Sequence, residues 1–361
     1  MTEVSGAVTN PWIAVLMAQT LGVYKLAVDL GVGNFGIVFE AVHESTGSRF
    51  AVKVLTPTSD PGALLDFENE GVLLRQLNPC NGVVNFVDGG VHALEVHGPG
   101  GIPIPFDMRY HVMSQASGSL DELVLNPEYR SSLSWEERLR LWRSMIKSLM
   151  QMHQHGVAHR DLKCSNCLLF VSKNKTSVRF GDLGRARDTT RPMTHSVEEY
   201  LVGRGDLRFA PPEAIFWQGG NSKEDFLAAD YYGLGSLLVE LITGQSMTSL
   251  AIGDIRSAVQ RGQDDYLQGQ RLELSSLTLR YRNVISEVAE QLPKSIRADV
   301  IVVLDALCRP EPAERLTQSP YSRDRASRDK LTWILRRADI MIHRLTIEKR
   351  EQQRRLERAS A

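Results

Sequence analysis

The chain is poor in cysteine, with Cys80, Cys164, Cys167 and Cys308 the only four in 361 residues. Four are too few to staple a chain of this length, so reduced thiols and a cytoplasmic protein are expected. Cys164-Ser165-Asn166-Cys167 spells C-x-x-C, yet no second pair completes a zinc site and no thioredoxin-like helix start accompanies it. His153, His155 and His159 cluster without a carboxylate or thiol partner in sequence, and read as helix-end and core histidines. No apolar run approaches the roughly 18 residues of a membrane span, so none is predicted. No basic residue precedes the apolar segment Trp12-Ile13-Ala14-Val15-Leu16-Met17-Ala18, so a secretory signal is not expected there. Charge of one sign is lacking too: the net value is -1, which gives no general case for nucleic acid or membrane. Only the end is biased, with twelve Lys/Arg against six Asp/Glu from Tyr321 to Ala361. A basic tail can bind acidic partners, but a solvated helix end is the simpler expectation.

What the chain does contain is concentrated in His159-Arg160-Asp161-Leu162-Lys163-Cys164-Ser165-Asn166, with Asp182-Leu183-Gly184 beginning sixteen positions past Asn166. The apolar run Leu168-Leu169-Phe170-Val171 between them predicts a loop, a strand, a turn and a second strand. Such a hairpin would put Asp161 and Lys163 at one end of a cleft, with Asn166 and Asp182 beside it. Asn166 and Asp182 carry the hard oxygen ligands that Mg²⁺ prefers. Asp161 has no ligand partner at helical spacing and is available to accept a proton, and Lys163 is a point charge suited to a phosphoryl oxygen. This set suits phosphoryl transfer, where positioning and charge neutralisation supply most of the catalysis.

The rest of the chain divides by pattern. Strands from Tyr24 to Leu30 and from Ile37 to Val42 flank Gly31-Val32-Gly33-Asn34-Phe35-Gly36. A dinucleotide-binding fold needs a helix directly after the third glycine. Here Ile37-Val38-Phe39 continues as strand, so a phosphate-covering hairpin is predicted. Ala51-Val52-Lys53-Val54-Leu55 is the next strand, its lysine either snorkelling to the surface or meeting an anion. Candidate anionic partners, Asp66, Glu68 and Glu70, lie on a predicted helix from Gly62 to Leu77. Val83 to Val91 and Tyr110 to Met113 read as strands, with Gly98 to Pro105 an exposed loop between them. Past residue 116 helical periodicity takes over, over Trp135 to His155 and in a long apolar helix opened by Asp230 and ending at Thr243-Gly244. Trp12 to Leu21 predicts a short docking helix, and Ser322 to Leu345 an amphipathic final one.

These motifs, in this order, resemble the eukaryotic-type protein kinases. The resemblance covers about residues 24 to 320 and implies an α+β, bilobal fold: a small β-rich N-lobe with one main helix, and a larger, mostly α C-lobe. The implied divisions are an extension at 1–22, the N-lobe at 23–116, the C-lobe at 117–320 and a C-terminal helix and basic tail at 321–361. It implies transfer of the ATP γ-phosphoryl group to Ser/Thr hydroxyls of protein substrates. ATP would lie against Leu30, Gly31, Gly33, Gly36, Val38, Ala51, Lys53, Met113, Ser114, Ala116 and Leu168, Met113 being the gatekeeper and Ser114-Gln115-Ala116 the hinge. Lys53 would hold the α/β-phosphates and be fixed by Glu70, with Glu68 second. Asp161 would act as base and Lys163 would offset γ-phosphoryl charge. Asn166 and Asp182 would hold Mg²⁺ or Mn²⁺. Asp230 would anchor the catalytic loop, and Arg315 would pair with Glu213.

The chain departs from the family in three places. Leu183 replaces the usual Phe, Pro211-Pro212-Glu213 replaces Ala-Pro-Glu, and Gly205-Asp206 falls where Ser/Thr kinases have Gly-Thr. An acid at 206 is expected to repel Asp161 or compete for Lys163. Arg160 next to Asp161 resembles kinases whose activation loop is ordered by a phosphate, for which Thr189, Thr190, Thr194, Ser196 and Tyr200 are candidate sites, with Glu198-Glu199 a candidate substitute for the phosphate. The alternatives are a pseudokinase-like scaffold and a small-molecule phosphotransferase sharing the Asp-x-x-x-x-Asn loop.

Overall fold

Strand and helix segregate along the chain. The computed structural model describes residues 10–33, 36–57, 61–97, 99–173, 175–192, 197–202, 205–317 and 329–360. Two compact units form, one of Met1–Ala116 with Asp182–Gly184, the other of Ser117–Gly181 with Arg185–Ala361.

The first unit is built on a six-stranded antiparallel sheet. Its strands are β1 (Thr20–Leu21), β2 (Tyr24–Gly33), β3 (Gly36–His43), β4 (Arg49–Val54), β5 (Phe86–His97) and β6 (Pro103–Ser114), ordered β1-β2-β3-β4-β6-β5. The predicted helix over Trp12 to Leu21 is shorter than expected. Helix α1 spans Pro11–Leu16, with Asn10 Oδ1 accepting from Trp12 N–H at 3.0 Å, and the chain then turns so that Leu21 pairs with Tyr24 in the sheet. Trp12 packs edge-on against Phe106 with ring centroids 5.2 Å apart, while Leu16 and Leu21 join Leu26, Phe39 and Val112 in the core. The segment before Tyr24 thus completes the sheet's hydrophobic face.

The loop predicted over Gly98 to Pro105 is shorter than expected: Pro99–Gly101 form a single 3-10 turn, β5 runs to His97 and β6 already starts at Pro103. Pro103 and Pro105 are two residues apart, so their missing N–H groups face one side of the strand. From residue 110 onward β6 has β4 as its second neighbour, but residues 103–109 pair with β5 alone, and a proline is tolerated at an unpaired edge. Helix α2 (Pro61–Gln76) packs on β6 at Gly71, where a methyl group would lie 2.5 Å from His111 Cε1.

The second unit holds β7 (Gly118–Ser119), α3 (Leu120–Val124), α4 (Pro127–Ser132), α5 (Trp135–Gln154), β8 (Val157–Ala158), β9 (Cys167–Ser172), β10 (Lys175–Phe180), β11 (Arg187–Asp188), α6 (Val197–Leu201) and α7 (Pro212–Ile215). It continues with α8 (Lys223–Thr243), α9 (Met247–Ile252), α10 (Ile255–Leu267), α11 (Thr278–Glu290), α12 (Lys294–Leu307) and α13 (Thr332–Ser360). Helices α5 and α8 open on capping boxes, Ser134 with Glu137 and Ser222 with Asp225, which satisfy the first backbone donors. Trp142 of α5 then donates from Nε1 to the Leu234 carbonyl of α8 at 2.9 Å, fixing the two helices in register. The long helix starts earlier than expected, so Asp230 lies two turns inside it. By length and composition α8 is apolar enough to cross a membrane, and 83% of that apolar window is buried inside the unit. The predicted last helix extends well past Leu345 to Ser360, while the stretch 318–328, with Ser322, lies outside the described residues.

Candidate active site

In the first unit β3, β4, α2 and the Asp182–Gly184 segment converge on Lys53. Val38 on β3 pairs with Lys53 on β4, and Ala51 pairs with Met113 on β6, so these side chains are set by strand register. The Lys53 ammonium lies 2.6 Å from Glu70 Oε2 and 3.0 Å from Asp182 Oδ1. Glu68, the other candidate, pairs instead with Arg109 at 3.4 Å. Burial alone would lower the Lys53 pKa, but Asp182 and Glu70 outweigh it and hold the amine above its ordinary value. Burial pushes the Glu70 carboxyl up, while Lys53 and the Leu183 N–H, which donates to Oε1 at 3.3 Å, pull it back. With two carboxylates sharing the ammonium, we read the cluster as ionised. Asn69 Nδ2 donates to the Gly184 carbonyl at 2.9 Å, and Leu183 is fully buried in the place of the expected Phe. Asp182 itself takes φ +55, a sparsely populated backbone region that clusters at functional sites.

The glycine hairpin has two kinds of glycine. Gly31 pairs with Val38 and Gly33 with Gly36. A methyl group on Gly31 would meet nothing within 4 Å, and one on Gly33 only the Gly36 carbonyl at 3.8 Å. Gly36 is required by β4: at φ +140, a methyl there would lie 2.1 Å from the Val54 carbonyl oxygen. Room for a bulky anion is therefore left at the first two positions, where Leu30 is exposed. Asn34 and Phe35 lie outside the described residues. Met113 is buried at the end of β6, and Ser114 and Ala116 are half-buried where the first unit ends.

In the second unit the loop between β8 and β9 carries Asp161, Lys163 and Asn166. Asp230 on α8 accepts from the His159 N–H at 2.8 Å and the Arg160 N–H at 2.7 Å, and His153 Nε2 lies 2.8 Å from it. His153 therefore does have a carboxylate partner, supplied from far along the chain. The two hydrogen bonds that the Asp230 carboxylate accepts, one each from the His159 and Arg160 N–H groups, hold the turn in which Arg160 takes φ +64 and which presents Asp161. His159 is buried beneath, its Nε2 3.2 Å from the Gly181 carbonyl and its Nδ1 accepting from the Asp161 N–H at 3.3 Å. Lys163 Nζ lies 3.2 Å from Asp161 Oδ2. Asn166 Nδ2 donates to the Asp161 carbonyl at 2.8 Å and to Oδ2 at 3.2 Å, which directs its amide by the backbone that carries the base. Leu168 sits half-buried on β9, paired with Arg179 and Ser119.

Arg315 reaches Glu213 through two nitrogens at 2.8 and 2.6 Å and also donates to the Ala228, Pro310 and Arg309 carbonyls, so a buried cation is fully coordinated. The Arg160 guanidinium lies 4.9 and 4.8 Å from the Tyr200 and Phe226 ring centroids. Thr189 Oγ1 donates to the Gly156 carbonyl and Thr190 Oγ1 to Asp188, and Tyr200 is buried. Thr194, Ser196 and the Glu198 side chain lie outside the described residues.

The acid at position 206 has its own counterion. Arg208 Nε donates to Asp206 Oδ1 and Oδ2 at 2.9 and 3.1 Å. Sequence reasoning missed this fork, and also Glu240 of α8, which accepts from the Cys164 N–H at 3.3 Å. Burial pushes the Glu240 carboxyl up to about 7 against the pull of the Cys164 donors. All four cysteines are free and buried, and burial raises each thiol pKa. Among the described residues no three or more His, Cys, Asp or Glu side chains gather as a metal site. That fits Mg²⁺, which relies on one or two carboxylates together with nucleotide phosphates rather than on a protein cage.

This sheet with one main helix, the mostly helical second unit and the two charged clusters define a protein-kinase architecture. The protein kinase domain family matches residues 24–325, and the chain belongs to that family. Similar proteins include the cysteine-rich receptor-like protein kinase 28 of Arabidopsis thaliana, 31% identical over 222 residues, which are 60% of this chain and 29% of the relative. A G-type lectin S-receptor-like serine/threonine-protein kinase of the same plant is 30% identical over 237 residues, 64% of this chain and 26% of the relative. The chain thus spans less than a third of the length of either.

Proposed function

We propose that this chain is an ATP-dependent protein kinase that phosphorylates Ser/Thr hydroxyls of protein substrates, in the cytoplasm and with Mg²⁺ as its metal. The observation that carries the reading is the loop in which one carboxylate, Asp161, is oriented from His159 and Asp230 while Lys163 and Asn166 are bound to it. In this mechanism Lys53, held by Glu70, contacts the α/β-phosphates. Asn166 and Asp182 are the side chains that would hold Mg²⁺, or Mn²⁺ in its place, which when bound neutralises charge on the phosphate oxygens. Asp161 accepts the acceptor hydroxyl's proton as the new O–P bond forms and the bond to ADP breaks, and Lys163 offsets the charge on the transferred group. The Ser/Thr assignment rests on Lys163, two positions past Asp161, and on the description of the similar plant proteins. Four buried free thiols favour a reducing compartment. The bidentate Glu213–Arg315 pair argues against a small-molecule phosphotransferase, for which no such pair is expected.

The test is transfer from labelled ATP to a basic protein, to casein and to an aminoglycoside, followed by phosphoamino-acid analysis. Label on serine or threonine is expected. Asp161→Ala should lower transfer by ~10²–10⁴-fold, the usual weight of acid–base assistance, while nucleotide binding stays near wild type. Full transfer by that variant removes Asp161 from the role, and label on the aminoglycoside alone rejects the protein-kinase reading.

A further inference from the structure

Resting on the kinase reading above, we propose that Arg208 is a positioning residue for the transfer: its guanidinium holds the Asp206 carboxylate off Lys163, leaving that ammonium to Asp161 and the phosphoryl group. Side chains of alternating charge run through this part of the second unit. Lys163 pairs with Asp161 at 3.2 Å. The chain carrying Asp206 arrives beside the same carboxylate, because a methyl group on Gly205 (φ +130) would lie 2.9 Å from Asp161 Oδ1 and 2.1 Å from Arg185 Nη1. Asp161 and Asp206 also line one cavity of about 80 Å³, together with Arg160 and Arg185.

An acid introduced there raises a competition, since two carboxylates near one ammonium share its charge. Arg208 settles it locally. Its Nε spans both Asp206 oxygens, Nη2 donates to Oδ2, and its backbone N–H donates to Oδ1 at 3.1 Å. The Arg208 guanidinium, with Lys163 a smaller contributor, holds the Asp206 carboxyl below the usual carboxylate range. The Arg208 backbone is fixed independently, its carbonyl accepting from Ser246 Oγ. With 69% of its side chain exposed, Arg208 adds little to stability, so its truncation leaves the fold in place.

The experiment compares steady-state transfer by wild type, Arg208→Ala and the double variant Asp206→Asn/Arg208→Ala, with a crystal structure of Arg208→Ala. Losing the fork should lower kcat about tenfold, the weight of one charged hydrogen bond, with KM for ATP unchanged. Neutralising Asp206 in the double variant should recover most of that loss, which a merely structural arginine would not allow. The crystal structure should show Asp206 within ion-pair distance of Lys163. Wild-type kcat in Arg208→Ala, or a double variant as slow as the single, overturns the proposal. If the wild type transfers nothing, the kinase reading fails by itself. The crystal structure then decides alone, and an Asp206 that has not moved overturns the role given to Arg208.

Discussion

Lys53 shows how one side chain can tie recognition to stability. It is a buried cation shared by Glu70 and Asp182, so removing it takes from both acids the ammonium between them. Lys53→Met should cost about 3–5 kcal/mol, the usual penalty for breaking a buried pair. Adding Glu70→Gln should return much of it, as read by urea unfolding. A double variant no more stable than the single would mean that the pair does not carry that energy. Positions like Lys53, Asp161 and Asn166 are legible in sequence because their partners fall at fixed offsets within a strand, a helix or a loop. The Asp206–Arg208 fork is two residues long yet was not legible. An acid two positions from an arginine is common, and only the approach of Gly205 to Asp161 gives it meaning. His153 is the helix-end histidine expected, but its partner was hidden for a related reason, the carboxylate being 77 residues away.

At the scale of elements, the apolar helix α8 supports the catalytic loop from beneath, through Asp230, two turns in, and Glu240 further on. The groups facing Glu240 are Cys164 from the loop, Cys167 at the start of β9, Asp121 from α3 and Arg208. Its folded pKa, about 7, lies above the unfolded value of 4.5, so between those limits the folded chain binds the extra proton. Stability from this group is therefore fully present below the unfolded value and is lost as pH rises through about 7. Glu240→Gln should remove the decline, gaining on wild type by up to about 3 kcal/mol as pH rises from 4.5 to 7. Denaturant melts across that range check it, and parallel curves for the two proteins would refute it. The periodicity that predicted α8 could not reveal this, since Glu240 becomes unusual only through what packs on it. The strands were harder still. Thr20–Leu21 is too short to show a period, and two prolines hid the start of β6.

Over the whole molecule, order of motifs was legible where extent was not. The turn from strand to helix near residue 116 follows composition, and the division into two units falls after Ala116. That Asp182–Gly184 groups with the first unit is a matter of Lys53, Glu70 and Asn69 reaching it, and no local pattern announces it. Charge also organises at this level. Arg337 and Arg344 of α13 both bind Asp299 of α12, so part of the basic excess near the end of the chain is neutralised inside the second unit.

The four buried cysteines give the protein a built-in gauge of its own opening. Cys80 belongs to the first unit, and Cys164, Cys167 and Cys308 to the second. A reagent that colours on meeting a thiol should stay dark with native protein. Adding denaturant should release one equivalent as the first unit opens and three as the second does. Prompt colour before any denaturant would mean that these sulfurs are not sealed in, whereas two separate steps would time each unit without any label being attached.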